Sequence, residues 1–259
     1  MKKIAVFAVG LAVLCLAVLA TAQTPTPSPT AAPALDPALD NAYKMVQEGQ
    51  AAVGRIKDFT CNFHKEEYKK GQLPKEVAFM KFRTNPRAVY MKWIGEEKKN
   101  QEIIWRKGQN DDKIRAHKGS FPDVTVNLEP DSWMAMKDNR HPIQQAGFQH
   151  TIELIGRDFK MATENPELAK IEDLGEKNIL GTNARCFDAT LDKDKNPKFY
   201  ARKARICVST QLKIPVRVQI WDREDGELRL VEDYGYENVK VNVGLTDSDF
   251  DPENKEYKF

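Results

Sequence analysis

The stretch that decides the fold is residues 59–106, FTCNFHKEEYKKGQLPKEVAFMKFRTNPRAVYMKWIGEEKKNQEIIWR. Apolar and polar residues alternate in four short segments of it. The alternation breaks at 71–74 (GQLP), at Asn85–Pro86 and at a charged run before Gln101. A period of two is typical of strands that bury one face, and Gly, Pro and Asn favour turns. The sequence therefore predicts a meander of four antiparallel strands, at 59–68, 76–83, 88–94 and 101–106.

One face of this meander is predicted to be apolar and aromatic. In an antiparallel sheet such a face packs on a core while the other can remain polar. The residues assigned to the apolar face are Phe59, Cys61, Phe63, Val77, Phe79, Val89, Met91, Trp93, Ile103 and Trp105.

The rest of the chain is predicted to contain helices and further strands. Apolar residues recur at helical spacing over 37–57 and again over 144–161, which predicts two amphipathic helices. A short helix is predicted at 130–137. Further strands are predicted near 113–117, 124–128, 169–178, 182–191, 199–209, 215–222, 228–236 and 239–243. The fold class is therefore α+β dominated by β: a large antiparallel sheet with an N-terminal helix and an inserted helical segment.

The N-terminus has the three regions of a secretory signal peptide. Lys2 and Lys3 precede an apolar run over 4–20, and the small residues of Ala20-Thr21-Ala22 follow it. Cleavage after Ala22 is predicted, although the run approaches the length of a membrane anchor. Residues 23–35 are rich in Pro, Thr and Ala and are predicted to form an extended tether. The domain boundaries are then 1–22, 23–35 and a single domain at 36–259.

The net charge of the mature chain argues against nucleic acid as a partner. Of the 40 Lys and Arg residues, two lie in the signal, so 38 remain against 38 Asp and Glu. A nearly neutral chain without a basic, aromatic-rich run is a poor partner for nucleic acid. With the signal removed, no integral membrane span is expected, and the localisation is the periplasm or the exterior.

Three cysteines remain in the mature chain, and two of them are predicted to pair. A hairpin turn centred between Asn196 and Pro197 places Cys186 directly opposite Cys207. Directly opposed residues are within reach of a disulfide, which an extracytoplasmic compartment permits. The alternative is two small buried side chains. Cys61 is left as a packed core residue.

The sequence contains no known catalytic or metal-binding motif, so no catalytic residue, metal site or cofactor is predicted. Cys61 and His64 are three residues apart on one strand, so they point to opposite faces. The acidic run 247–251 resembles the start of a calcium loop but has Pro252 where that loop requires glycine. Arg140 and His141 lie in a loop and are interpreted as structural.

The aromatic sheet face has two interpretations. Either the amphipathic helices seal an ordinary core against it, or sheet and helices enclose an apolar cavity. Periodicity does not separate the two. The candidate cavity-lining residues are Phe63, Phe79, Trp93, Ile103 and Trp105.

Four stretches resemble a known family. They are 101–105 (QEIIW), 131–143, 214–217 (IPVR) and 242–252 (NVGLTDSDFDP). The chain is identified by them as a member of the domain-of-unknown-function 1571 family of bacterial envelope proteins. That family has no established activity, so no site residue follows from the resemblance.

The order of elements is also similar to the periplasmic lipoprotein-carrier fold of the LolA/LolB type. This resemblance implies a curved half-barrel with a helical lid over acyl chains. The leading hypothesis is then a non-enzymatic periplasmic carrier for an apolar ligand, such as a lipid or a lipoprotein acyl chain. The alternatives are an envelope structural or protein-interaction module with a filled core, and a secreted hydrolase using Arg140 and His141.

Overall fold

The computed structural model describes residues 35–259, so the predicted signal peptide (1–22) and all of the tether except Leu35 lie outside the described residues. The described part contains a single 11-stranded antiparallel sheet, open and curved, with strand order β6-β5-β4-β3-β2-β1-β11-β10-β9-β8-β7. The strands are β1 (Asp58–Glu67), β2 (Lys75–Arg83), β3 (Ala88–Trp93), β4 (Glu102–Arg106), β5 (Ile114–His117), β6 (Thr125–Leu128), β7 (Ala169–Ile179), β8 (Thr182–Leu191), β9 (Lys203–Ser209), β10 (Pro215–Glu224) and β11 (Glu227–Val241).

The predicted fold class is confirmed. Helix α1 (Pro37–Val53) precedes the sheet, and the short helix α2 (Trp133–Met136) and helix α3 (Phe148–Glu164) form the insertion between its two halves. Because β1 pairs with β11, the two halves join into one sheet although they are far apart in the chain. No helix of residues 35–259 is long and apolar enough to cross a membrane.

Helix α1 begins where the sequence supplies a cap and Pro37. The Asp36 carboxylate accepts a hydrogen bond from the backbone N–H of Ala38 at 2.7 Å. Its apolar stripe packs on α3, where the Cα of Gly49 approaches so closely that a Cβ would stand 3.2 Å from Ile152 Cδ1. Together α1 and α3 cover one face of the sheet, which is called the inner face below.

The outer face is covered in part by the C-terminal residues 245–259. Phe250 packs there against Tyr90 and Ile104 of the sheet. Asp249 pairs with Lys81 at 2.8 Å, and Asp247 pairs with Arg83 at 2.7 Å. The acidic run that resembles a calcium loop therefore fixes the C-terminal segment to β2 through ion pairs.

Several element boundaries differ from the predictions. Helix α1 ends at Val53 rather than residue 57, and α2 is shorter than the predicted 130–137. The second long helix begins at Phe148 rather than residue 144, because Gly147 adopts φ 93° and interrupts the helical backbone. The strand predicted from 199 begins at Lys203. The two last predicted strands are one strand, β11, with a bulge opposite Cys61 where Asn238 has φ 53°.

The predicted disulfide is confirmed. Cys186 on β8 lies directly opposite Cys207 on β9, and their sulfurs are bonded. Cys61 is free and buried.

We expect the double variant Cys186→Ala/Cys207→Ala to lose about 3 kcal/mol of unfolding free energy, because the bond closes a loop of 21 residues in the unfolded chain. Urea denaturation of the variant and of the parent under non-reducing conditions measures this difference. Cys61→Ala is the control that removes a buried thiol without removing a cross-link. Equal stability of double variant and parent would contradict the assignment.

Candidate ligand-binding cavity

A cavity of about 240 Å³ lies between the inner face of the sheet and the inserted segment. Strands β1 to β6 form its floor together with β10 and β11, and residues 130–155 form its roof. Most of its wall is apolar. The apolar side chains that line it include Phe63, Ala78, Met91, Trp93, Ile103, Ile114, Ala116, Leu128, Met134, Ala135, Ile143, Leu154 and Tyr236.

The register of the sheet decides which predicted residues reach this cavity. Phe63 of β1 stands opposite Ala78 of β2, and Ala78 stands opposite Trp93 of β3. Phe63, Trp93 and Ile103 therefore share the inner face, and all three line the cavity.

Two of the five predicted liners lie elsewhere. Trp105 is on the inner face but is sealed in the core beside the cavity, where its indole N–H donates to the Asp112 carbonyl at 2.9 Å. Phe79 points to the outer face and packs against the cluster under the C-terminal segment. The assignment of Val77 and Phe79 to the same face as Trp93 is wrong, because Ala78 and not Phe79 pairs with Trp93.

One end of the cavity is polar. Glu67 of β1 and Glu232 of β11 are directly opposed on the inner face, and each is at most 5 % exposed. Directly opposed like charges destabilise a sheet, and buried charges require partners. The loop before α3 supplies them: Arg140 donates from its backbone N–H to Glu67 at 2.7 Å and from Nε to Glu232 at 3.2 Å.

Tyr200, Tyr234 and His141 complete this polar cluster. The Tyr234 hydroxyl donates to Glu67 at 2.6 Å, and the Tyr200 hydroxyl donates to Glu232 at 2.5 Å. Asp158 of α3 holds Tyr200 in place by accepting its backbone N–H at 2.9 Å. The His141 ring contacts Glu232 at 3.3 Å and Gln145 at 2.9 Å.

The charges of this cluster shift its pKa values in opposite directions. Burial disfavours the imidazolium of His141, but the hydrogen bond and charge of Glu232 outweigh burial, so the pKa of His141 is raised. Burial likewise works against the ionised form of Glu232, yet His141, Tyr200 and Arg140 hold its pKa below the usual value. The contact between His141 and Glu232 therefore favours the charged form of both side chains.

A second pair of charges lies on the neighbouring strands. Lys65 of β1 is opposite Glu76 of β2, with 3.6 Å between Nζ and Oε1. Glu76 also accepts from Lys98 at 2.8 Å and from the Trp93 indole N–H at 2.7 Å. Burial opposes ionisation of Glu76, but the two lysines lower its pKa overall.

His150 of α3 faces the same end of the cavity. Its ring centroid lies 5.3 Å from that of His141, and its Nε2 is buried without a hydrogen-bond partner among the described residues. Burial, and after it the charge of His141, lower the pKa of His150, which favours the neutral form of its ring.

Most residues of this polar cluster were not predicted from the sequence. Lys65 and Glu67 have the same strand parity as Phe63 and are therefore polar residues at inward positions, which is the signal that could have identified them. Arg140 and His141 are predicted from the sequence as structural loop residues or, in the hydrolase alternative, as functional ones. No group of three or more His, Cys, Asp or Glu among residues 35–259 is arranged to hold a metal ion.

The thiol–imidazole pair is also absent from the part of the chain that the structure describes. Cys61 is buried on the inner face, where desolvation raises its pKa. His64 lies on the opposite face and contacts Glu237 at 3.1 Å.

Fold and cavity together define a class of protein: an α+β domain whose open sheet and helical insertion enclose an apolar cavity with one polar end. The chain belongs to the family described as Protein of unknown function (DUF1571), whose profile matches residues 56–259. No curated protein matches the chain in sequence.

Several solved structures have a similar backbone trace. The lipoprotein LppX of Mycobacterium tuberculosis has 15 % identity and a TM-score of 0.45 over 82 % of this chain and 98 % of its own. LprF of Mycobacterium bovis has 10 % identity and a TM-score of 0.44 over 80 % and 95 %. A chain of the Pseudomonas aeruginosa MucA/MucB complex has 10 % identity and a TM-score of 0.44 over 82 % and 60 %. At these values the similarities do not bear on what this chain binds.

We expect Glu232→Gln to lower the pKa of His141, because the substitution removes the charge that outweighs burial. NMR titration of the histidine Cε1–H resonances between about pH 5 and 9 follows this group. The folded-state pKa of His141 lies above its ordinary value of 6.5, so its ion pair contributes stability below about pH 6.5. That contribution is lost as the pH rises through the folded-state pKa, and the variant loses this pH dependence.

Glu237→Gln is the matched control, because Glu237 contacts His64 on the outer face. It is expected to leave the His141 titration unchanged. An unchanged His141 pKa in Glu232→Gln would show that the two side chains are not paired in solution.

Proposed function

We propose that this protein is a non-enzymatic carrier that binds an apolar ligand, such as the acyl chain of a lipid or lipoprotein, in the cavity under the inserted segment. One observation carries the proposal: the inner face of a curved sheet and the segment over it leave a largely apolar space of about 240 Å³. Ligand sites in proteins are typically concave and mostly apolar, with a few polar groups.

Phe63, Trp93 and Ile103 are the proposed contacts for the hydrocarbon. Each buried CH₂ group contributes about 0.8 kcal/mol before the cost of ordering the chain. Affinity would therefore rise with chain length until the cavity is filled.

Binding rather than catalysis is proposed because His141 is fully engaged within the protein. Its Nδ1 contacts Gln145 at 2.9 Å, and its Nε2 contacts both Glu232 and Tyr200, the latter at 3.1 Å. A general base needs a ring nitrogen within reach of the proton that it removes. The hydrolase alternative depended on Arg140 and His141. Because His141 is already bound within the protein, this pair gives that alternative little support.

The compartment belongs to the same proposal. We infer an extracytoplasmic location, in the periplasm or outside the cell, from the signal-like N-terminus and from the Cys186–Cys207 disulfide, since disulfides persist in oxidising compartments.

A protein-interaction module is the second candidate, and exposed apolar side chains favour it. Trp133 is 75 % exposed on α2, and Phe121 is 94 % exposed before β6. Exposed large apolar residues often mark interaction sites.

Native mass spectrometry of the protein purified from its own envelope separates the two candidates. A lipid or acylated peptide at near-stoichiometric ratio supports the carrier. A stoichiometric protein partner and no lipid supports the interaction module.

A cavity-filling variant tests the carrier proposal directly. We expect Ala116→Phe, which adds a ring to the cavity floor, to weaken binding of the fluorescent apolar probe N-phenyl-1-naphthylamine at least ~10-fold. Ala51→Phe, on the exposed side of α1, is expected to bind the probe like the parent. Thermal unfolding of both variants checks that the fold persists. Failure of the parent protein to bind the probe would overturn the carrier proposal.

A further inference from the structure

His150 presents an unused hydrogen-bonding atom to the proposed ligand site. Its ring lines the cavity, and Nε2 is buried without a partner among the described residues. A buried polar atom without a hydrogen bond destabilises the folded state, so such an atom in a ligand site is best explained by a group that the ligand brings. A neutral imidazole can offer one N–H donor for that purpose.

The charges around His150 indicate which kind of group that is. Every other basic side chain that lines the cavity already has a carboxylate: Lys65 has Glu67 at 3.7 Å, Lys98 has Glu76, and His141 has Glu232. An anionic head group would therefore find no unpaired cation among these lining residues. It would also stand close to buried carboxylates, and an unpaired buried charge is costly.

A neutral carbonyl oxygen meets neither difficulty. It accepts one hydrogen bond from an imidazole N–H, and its burial requires no counter-charge. It can also replace a water molecule at the same atom without loss of that hydrogen bond.

The order of strands gives the ligand a direction. Glu232 and Tyr234 mark the polar end on β11, whereas Ile103 lies on β4, four strand spacings away. At about 4.8 Å per spacing, roughly 19 Å of the inner face separates them along the sheet. A hydrocarbon chain that starts at His150 can extend over Phe63 and Trp93 toward Ile103.

We propose that the cavity selects a neutral acyl compound, an ester or an amide, whose carbonyl oxygen accepts a hydrogen bond from His150 Nε2 while its hydrocarbon chain lies toward β4. This inference rests on the proposed carrier function and adds the head-group class to it. His150 is the residue that determines this specificity.

Competition titrations against N-phenyl-1-naphthylamine test the inference with three ligands of equal chain length: dodecane, methyl dodecanoate and dodecanoate at about pH 8, where its carboxyl group is ionised. The full chain is used. In the parent protein, methyl dodecanoate is expected to displace the probe better than dodecanoate.

The decisive quantity is the affinity ratio of methyl dodecanoate to dodecane in each variant. We expect His150→Phe, which keeps an aromatic ring but has no N–H, to lower this ratio about five- to tenfold, the effect of one hydrogen bond. His150→Gln retains an N–H donor and is expected to retain most of the ratio. His64→Phe, on the outer face, is the matched control and leaves the ratio unchanged.

The possible failures are distinguishable. If no ligand displaces the probe, or if the probe does not bind, the carrier proposal itself is wrong. If dodecane and methyl dodecanoate compete but the ratio is the same in His150→Phe and in the parent, the carrier proposal stands and the role of His150 is overturned. Preference for dodecanoate over the ester would also overturn it and would indicate an anionic ligand.

Discussion

The attachment of the inserted segment to Glu67 and Glu232 is the interaction on which the cavity depends. Helix α2 has no buried residue, so little apolar packing holds this part of the roof over the sheet. Its position relies on polar contacts, chiefly Arg140 to both carboxylates and Lys69 to the Asn139 carbonyl at 2.7 Å. Burying these charges is costly, and an apolar contact of similar volume is often as stable. Paired charges on long side chains, however, can hold the inserted segment away from the sheet. Apolar contacts in their place would pack the segment directly onto the sheet and close the cavity.

Strand pairing places those two carboxylates together. Glu67 ends β1 and Glu232 lies within β11, and only their antiparallel register makes them neighbours. The register of β1 with its other neighbour, β2, places Lys65 beside Glu76 and Phe63 beside Ala78, so charged and apolar residues form successive rows across the inner face. The polar end and the apolar floor of the cavity are thus consequences of the two pairings of β1.

Local patterns in the sequence were sufficient for most of the fold. Alternation and turn residues predicted the meander, and the symmetry of the 182–209 hairpin predicted the cysteine pair. In β2 alternation failed, because Val77, Ala78, Phe79 and Met80 are all apolar. Both faces of this strand are covered, the inner one by the core and the outer one by the C-terminal segment. A strand buried on both sides shows no period of two.

The candidate site could be predicted from the sequence only in part. Its apolar lining residues alternate along the strands, and this alternation predicted Phe63, Trp93 and Ile103. Its polar residues become a site only through pairings between distant parts of the chain, such as Glu67 with Tyr234 and Tyr200 with Glu232. A local pattern contains no information about such pairs.

Small side chains on both sides of the cavity explain why it is not filled. Ala78 and Ala116 line its floor, and Ala135 and Ala146 line its roof. In a close-packed interior, large residues face small ones and gaps are few. A larger apolar side chain at one of these positions would occupy part of the space. A ligand that occupies it would remove the same apolar groups from solvent, at about 25 cal/mol per Å² of apolar surface. The four alanines thus leave room for the apolar ligand that is proposed for this cavity.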